Sequence, residues 1–510
     1  MKKITNIIFS RLVFVALCLV VQAATIVYIL VLFREHFIWF YGLCLLVALA
    51  MLLYIVNSEL NPAYKIAWLM PMMILPVFGA LLYLMFGVNL RSKDQQQRMT
   101  EMHRQYRQAM AELPSPLLAL RQQNPDGALQ ATYLQHLGTP LFQHTSSQFL
   151  HIGEVMYAKM LEDLRKAEKF IFMEYFIIEE GKMWNEILDI LTQKAKAGVD
   201  VRLIYDDIGC MFTLDKNYYR KLEALGIKTW VFGRFIPVLA TRFNNRNHRK
   251  ICVIDGQIGY TGGINLADEY INVYEKHGHW LDCGIRLEGA AVWSFTVMFL
   301  SMWDYLHRIK EDFQFFAPNS QLTAEIANDG YVQPFTDMPF DDERVGETVY
   351  LNIVGRARKY LYISTPYLVV DHEMSTALQL AAKSGVDVRI ITPHIPDKKL
   401  VFAITRSYYQ ELVEAGVRIY EYLPGFIHSK TFVCDDACAV VGTINLDFRS
   451  LYLHYECAAC LWNAEAVMDV KKDFLGIIEK CGEVTIEQCH KAHWYQRLLY
   501  SVLRTFAPLV

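Results

Sequence analysis

The stretch His248-Arg249-Lys250-Ile251-Cys252-Val253-Ile254-Asp255, running on to Gly262-Gly263-Ile264-Asn265, sets the organisation of the chain. It opens on a cationic cluster, passes through an apolar segment and ends in a glycine turn closed by an asparagine. The same layout returns 180 residues on as His428-Ser429-Lys430-Thr431-Phe432-Val433-Cys434-Asp435, followed by Gly442-Thr443-Ile444-Asn445. His, Lys, Asp, Gly and Asn keep identical offsets in both copies. At ordinary residue usage, five such matches coincide by chance on the order of 10⁻⁷ per starting point. Two half-sites that together make one site is the reading to be tested.

Outward from each copy the surroundings repeat as well. Glu154 to Lys169 has helical spacing, Phe170 to Ile178 reads as a buried strand, Trp184 to Ala197 as a helix stopped by Gly198, and Val199 to Asp206 as a strand. The second half follows the same order through Glu347 to Arg358, Tyr360 to Val370, Met374 to Lys383 (stopped by Gly385) and Val386 to Thr392. Ala197-Gly198-Val199-Asp200-Val201-Arg202 returns as Ser384-Gly385-Val386-Asp387-Val388-Arg389. Leu225-Gly226-Ile227-Lys228 likewise returns as Ala415-Gly416-Val417-Arg418. The expected fold class is α/β: two duplicated halves with helix-covered β-sheets, 146–330 and 331–482. A membrane anchor over 1–90, a linker of short juxtamembrane helices over 91–145 and a C-terminal amphipathic helix over 483–510 complete the expected domains.

The apolar run after each His-x-Lys suits a strand, so the two cationic side chains are expected on one face. An imidazole beside an ammonium is costly in a core and useful at a phosphate. The lysine neutralises its oxygens, and the histidine reaches phosphorus or a leaving oxygen. The glycine turns, Gly263 or Thr443, and the amides of Asn265 and Asn445 are candidate donors to the phosphoryl oxygens. Two histidines at one phosphodiester can divide the work: one neutral, to attack phosphorus, the other protonated, to release the leaving alkoxide. The lysines can stabilise the developing charge without a metal or cofactor, so neither is expected.

Near the N-terminus, Leu12 to Phe33, Phe37 to Val56 and Ile66 to Phe86 are apolar stretches close to the ~20 residues that cross a bilayer. Pro71, Pro76 and Gly79 predict a kinked or re-entrant third segment. Arg91, Lys93, Arg98, Arg104 and Arg107 follow it and place that side in the cytoplasm. Lys2 and Lys3 favour the same side for the other end, which leaves two or three full spans open. The body is expected on the cytoplasmic side of a multi-pass bacterial inner-membrane protein.

The chain has 510 residues, enough for two or three domains, and 53% hydrophobic content. A formal net charge of −3 supplies no field to attract nucleic acid, and none is expected as a partner. Eleven scattered cysteines are no disulfide framework. Cys434, Cys438, Cys457 and Cys460, with His454 nearby, have zinc-site residue types, but strand spacing points Cys457 and Cys460 to opposite faces. Buried apolar roles are expected instead.

The paired His-x-Lys-x4-Asp-x6-Gly-x-x-Asn stretches resemble the signature of the phospholipase D superfamily. With the apolar segments, Glu174-Tyr175-Phe176, Asp206-Asp207, Asn247 to Lys250, Thr365-Pro366-Tyr367 and Asn445 to Ser450, nearly the whole chain is similar to bacterial cardiolipin synthases. The resemblance implies transfer of a phosphatidyl group between two phosphatidylglycerol molecules at the bilayer, releasing glycerol. It implies His248 as nucleophile, His428 as general acid and base, and Lys250, Lys430, Asn265 and Asn445 around the phosphoryl oxygens. Asp255 and Asp435 are grouped with the catalytic residues, or alternatively close the strand-turn. Glu456 and Asp282 are candidates to orient a histidine. Gly263 stands where many members carry Ser. His454 stands where relatives often carry Asn and is expected to perturb the surroundings of Glu456. A phospholipase D hydrolase and a catalytically silent scaffold are the alternatives, and intact motifs argue against the scaffold.

Overall fold

A computed structural model describes residues 11–32, 37–87, 93–111, 113, 115–234, 245–339, 343–491 and 494–509. Lys2, Lys3, Phe33 and Arg91 of the membrane reading lie outside these. The described residues form two compact units, one of 11–87 with 502–509, the other of 93–234 with 245–501.

In the first unit, Arg11–Leu32 and Phe37–Val56 are helices. Among the described residues, Ile38–Val56 is the helix long and apolar enough to cross a membrane. The third apolar segment is no straight span. It starts at Pro62, with Asn61 accepting from the amide of Ala63, ends at Ile74, and resumes as Pro76–Leu82 and a π-turn over Tyr83–Gly87. A Cβ on Gly79 would lie 2.5 Å from the backbone of Met72, so glycine permits the two pieces to touch. Ile55, Trp68, Met72 and Tyr83 make a small core there, with Trp68 edge-on to Tyr83. The expected kink is therefore a break.

The second unit carries two sheets. The first half contributes β1 (Thr145–Leu150), β2 (Phe170–Tyr175), β3 (Asp200–Asp206), β4 (Lys228–Phe232), β5 (Ile251–Ile254), β6 (Ile258–Gly262), β7 (His279–Leu281) and β8 (Gly284–Gly289). Seven of these lie in the order β1-β8-β6-β5-β2-β3-β4. The second half contributes β9 (Tyr331–Asp337), β10 (Tyr360–Ser364), β11 (Leu368–Val369), β12 (Asp387–Pro393), β13 (Arg418–Tyr422), β14 (Gly425–Ile427), β15 (Thr431–Cys434), β16 (Cys438–Gly442), β17 (Leu446–Asp447), β18 (Glu456–Trp462) and β19 (Cys481–Glu483). Its sheet runs β19-β13-β12-β10-β15-β16-β18-β9. Reversed, and without β19, that is the order of the first sheet, so the duplication holds strand for strand. β7 and β14 leave their sheets and pair with each other, in parallel, across the two halves.

The hairpins β5–β6 and β15–β16 turn through consecutive left-handed residues, Asp255-Gly256 and Asp435-Asp436. Asp255 accepts from the amides of Glu168, Lys169 and Phe170, and Asp435 from those of Arg358, Lys359 and Tyr360. Each aspartate fastens its hairpin to the strand that starts the neighbouring βαβ unit. A four-residue strand separates each from the motif lysine, five steps or on the order of 16 Å at 3.3 Å per residue. Both aspartates thus sit where the strand-turn alternative puts them, capping the backbone amides at the hairpin.

The inward faces of both sheets share one core. Phe172 and Val253 from the first, Val433 and Ala459 from the second, and Val297 and Phe299 from the helix Val292–His307 belong to it. Each such Val or Phe side chain, fully buried, contributes about 1.5–3 kcal/mol. On the outer face of the first sheet, the helices Gly153–Lys166 and Lys182–Lys196 set Met160, Trp184 and Ile187 against Ile171 and Leu203. The helices of 93–136 reach into the body. Met102, Tyr106 and Met110 of the helix Lys93–Met110 enter the shared core, and Gln130 accepts from the indole of Trp462. Cys434, Cys438, Cys457 and Cys460 are buried free thiols, Cys434 and Cys438 facing each other across a ladder.

Candidate active site

Two short parallel contacts between the halves build the site. β14 runs beside β7 with Ile427 opposite Leu281, so the next residues, His428 and Asp282, stand side by side. The amide of His428 donates to the carbonyl of Leu281 at 2.7 Å. On the other side of the pseudo-twofold, Asn247 bridges Tyr455, the amide of His248 donates to the carbonyl of Tyr455 at 2.9 Å, and the next pair is His248 and Glu456.

The carboxylates therefore serve the histidines crosswise. Glu456, on β18 of the second half, holds Nδ1 of His248 at 2.9 and 3.0 Å through its two oxygens. Asp282, after β7 of the first half, holds Nδ1 of His428 at 2.6 Å. With Nδ1 committed, each ring presents Nε2 for chemistry. All four side chains are buried.

The lysines are buried in the same place. Lys250 donates to the carbonyl of His248 at 2.7 Å, and Lys430 donates to that of His428. Burial lowers Lys250 to about 7 and Lys430 to about 8. Burial, then the positive charges of Lys250, Lys430 and His428, push His248 well below the ordinary imidazole range. Burial and Lys430 bring His428 down to about 4, against the pull of Asp282. Burial raises Asp282, yet His428 and Lys430 outweigh it and hold the carboxyl below its usual range. These surroundings favour the neutral form of the imidazoles and ease proton loss from the lysines. A phosphodiester anion would draw protons back to the lysines and to His428, which Asp282 also favours.

The asparagines and turn residues differ between halves. Asn265 accepts from the amide of Ile177 and donates to the hydroxyl of Tyr270, so its side chain fastens the first half. Asn445 donates to Asp447 at 3.4 Å and leaves its buried Oδ1 unpartnered. Thr443 donates through Oγ1 to Glu456. At the equivalent Gly263 a Cβ would lie 2.0 Å from Oδ1 of Asp282, so the second carboxylate occupies the space a side chain would need.

Several site residues carry roles that sequence alone did not assign. Asn247 donates to Glu174, and Arg246 grips Asp206 through Nε and Nη2. Arg249 reaches Thr336 and the carbonyl of Glu456, tying the first motif to the second half. Phe176 packs edge-on to His248, and Trp280 and Tyr270 flank His428. The signal for them was residue type: carboxylates and arginines inside otherwise apolar strands must be paired. His454 lies beside His248, ring centroids 5.5 Å apart, with Nδ1 3.7 Å from Glu456. Burial lowers it to about 4. His248, His454 and Glu456 offer three donor atoms within 4.8 Å of one another, a set that could hold a metal ion.

Residues 160–277 and 350–478 match the family described as "Cardiolipin synthase, PLD-like domain", and residues 46–87 match "Phospholipase_D-nuclease N-terminal". An uncharacterized protein of Streptococcus mutans is 43% identical over 462 residues, 90% of this chain and 99% of its own length. A cardiolipin synthase of Halalkalibacterium halodurans is 33% identical over 466 residues, 88% of this chain and 90% of its own. The phosphatidylserine synthase structure from Haemophilus influenzae shares the fold, with TM-score 0.55 and 15% identity over 74% of this chain and 98% of that one. Paired motifs, crossed carboxylates and these likenesses converge: the chain belongs to the bacterial cardiolipin synthases of the phospholipase D superfamily, a family of phosphatidyltransferases.

Proposed function

We propose that the chain makes cardiolipin by reversible phosphatidyl transfer between two phosphatidylglycerol molecules, through a phosphohistidine. The observation that carries this reading is the crossed pairing of two buried histidines with Glu456 and Asp282. Neutral Nε2 of His248 attacks phosphorus; a P–N bond forms, the P–O bond to the glycerol headgroup breaks, and His428 gives that oxygen its proton. The headgroup hydroxyl of a second phosphatidylglycerol then returns a proton to His428 and attacks phosphorus. The P–N bond breaks and cardiolipin leaves.

The surroundings of the two histidines support this order. Lysines and His428 crowd His248 with positive charge and favour its neutral, nucleophilic form, whereas Asp282 draws a proton toward His428. Lys250 and Lys430 neutralise the phosphoryl oxygens, with Asn445 and the turn at Gly263 and Thr443 beside them; Asn265 holds the first half in register. A multi-pass anchor in the bacterial inner membrane, with the body on the cytoplasmic side, brings the site to its lipid.

The test incubates the purified chain with phosphatidylglycerol vesicles and separates the lipid products. Cardiolipin with stoichiometric glycerol is expected. Phosphatidic acid without cardiolipin would make the chain a hydrolase, and no turnover would leave a scaffold. His248→Ala should abolish both transfer and the acid-labile phosphoprotein; a full-strength adduct in that variant would reassign the nucleophile to His428.

A further inference from the structure

Among the described residues, His454 is a polar side chain without an apparent purpose. Its side chain is 10% exposed, and neither ring nitrogen has a hydrogen-bond partner. A buried imidazole without hydrogen bonds gives up those it makes in water. Nδ1 nevertheless points at the oxygen of Glu456 that His248 also uses. His454 takes no part in the transfer derived above.

The distances suit a cation. Four-coordinate zinc, with bonds near 2.1 Å, sets its ligand atoms about 3.4 Å apart. His248 Nδ1 to Glu456 Oε1 is 2.9 Å and His454 Nδ1 to the same oxygen is 3.7 Å, so the two spacings straddle that value. The third pair lies within 4.8 Å. Two imidazoles and one carboxylate form a familiar zinc donor set, and the fourth position would be left for water or a lipid phosphate oxygen.

We propose that His248, His454 and Glu456 form an inhibitory site for a borderline-soft divalent cation, zinc being the best match. A cation on Nδ1 of His248 takes the place of the Glu456 hydrogen bond and draws electron density from the ring, so Nε2 no longer attacks phosphorus. Occupancy and transfer exclude each other. The inhibitory consequence rests on the proposed role of His248; the binding itself does not.

The test separates the two. The full chain in detergent is stripped of metal and titrated with Zn²⁺ against a chromophoric chelator, and with Co²⁺ by visible absorption. Wild type should bind one Zn²⁺ equivalent that His454→Asn binds about 100-fold more weakly. The cobalt form should show d–d bands without the thiolate charge-transfer band that the free cysteines would give. His454→Gln provides a second variant, with thermal unfolding of the metal-free proteins as the check on folding. Equal Zn²⁺ affinity in wild type and a folded variant, or a thiolate spectrum that His454→Asn leaves unchanged, overturns the proposal. In turnover, Zn²⁺ should inhibit wild type and spare His454→Asn; a variant as sensitive as wild type also overturns it. Binding lost in the variant while metal-free wild type turns over no phospholipid would instead overturn the proposed function.

Discussion

Nδ1 of His248 and the carboxylate of Glu456 lie 2.9 Å apart, although the motif of one half supplies the histidine and β18 of the other supplies the acid. Asp282 and His428 repeat the exchange in the opposite sense. Neither half alone contains an oriented histidine. The duplication is thus functional only as an assembled pair, and the short parallel contacts Asn247–Tyr455 and β7–β14 are what assemble it.

Glu456→Gln tests the first of these pairs. The amide keeps the shape but cannot stabilise the imidazole tautomer or the charge that develops when Nε2 bonds phosphorus. A fall in kcat of about 10²- to 10⁴-fold is expected, with KM within a few-fold of wild type. The check is the rate of cardiolipin formation in mixed micelles. A KM defect at unchanged kcat would show that Glu456 binds lipid rather than orienting His248.

Gly263→Ala tests the asymmetry of the turns. The added Cβ would meet Oδ1 of Asp282 at 2.0 Å and must push that carboxylate from His428. Transfer should slow about 10-fold, since general acid–base assistance is worth 10²–10⁴-fold in full and here is misaligned rather than removed. The proposed phosphohistidine, on the other ring, should accumulate relative to wild type when second-step proton removal is the slower event; quench-flow with labelled lipid reads this. Unchanged kcat would mean that Asp282 shifts without loosening His428.

Asp255→Ala tests the structural reading of the motif aspartate. It strips the acceptor from three backbone amides and places alanine at a φ of +53°. A loss of about 2 kcal/mol is expected, seen as a lower midpoint in urea. The kcat of the remaining folded enzyme should stay within a few-fold. His248→Ala should do the reverse. A folded Asp255→Ala protein without activity would return Asp255 to the chemistry.

Much of this arrangement was legible in the sequence because its signals were local or repeated. The equal offsets of the two motifs gave the halves, and Gly198 and Gly385 marked the same helix ends in each. The two His-Lys pairs marked the residues that meet between the halves. What stayed hidden depends on contacts between distant segments. That Glu456 serves His248 and Asp282 serves His428 follows from parallel pairing across the halves, which no local pattern encodes. The helices of 93–136 read as linker because their buried residues meet partners far along the chain, as Gln130 meets the indole of Trp462. The break at Leu75 needed the close approach of Gly79 to Met72.

A pH-dependent stability should trace to Glu347. This buried carboxyl, hydrogen-bonded by the hydroxyl of Tyr452, is raised to about 8 by burial and by the facing carboxylate of Asp371, against the pull of Arg344. In the unfolded chain it titrates near ~4.3. Between those values the folded state holds a proton that the unfolded chain has released, so stability falls as pH rises through the window and levels off above it. Asp371 is depressed and titrates below this range in both states, so it adds no slope there. Glu347→Gln is uncharged throughout and keeps a donor toward Asp371. Its melting temperature should therefore decline less than that of wild type from pH 5.5 to 8.5, and the variant should be the more stable protein at the alkaline end. Thermal unfolding at matched ionic strength gives the comparison, and every other titrating group, the site lysines included, cancels in the difference. Parallel curves would mean that Glu347 is ionised in the fold and that Tyr452 and Arg344 carry its charge.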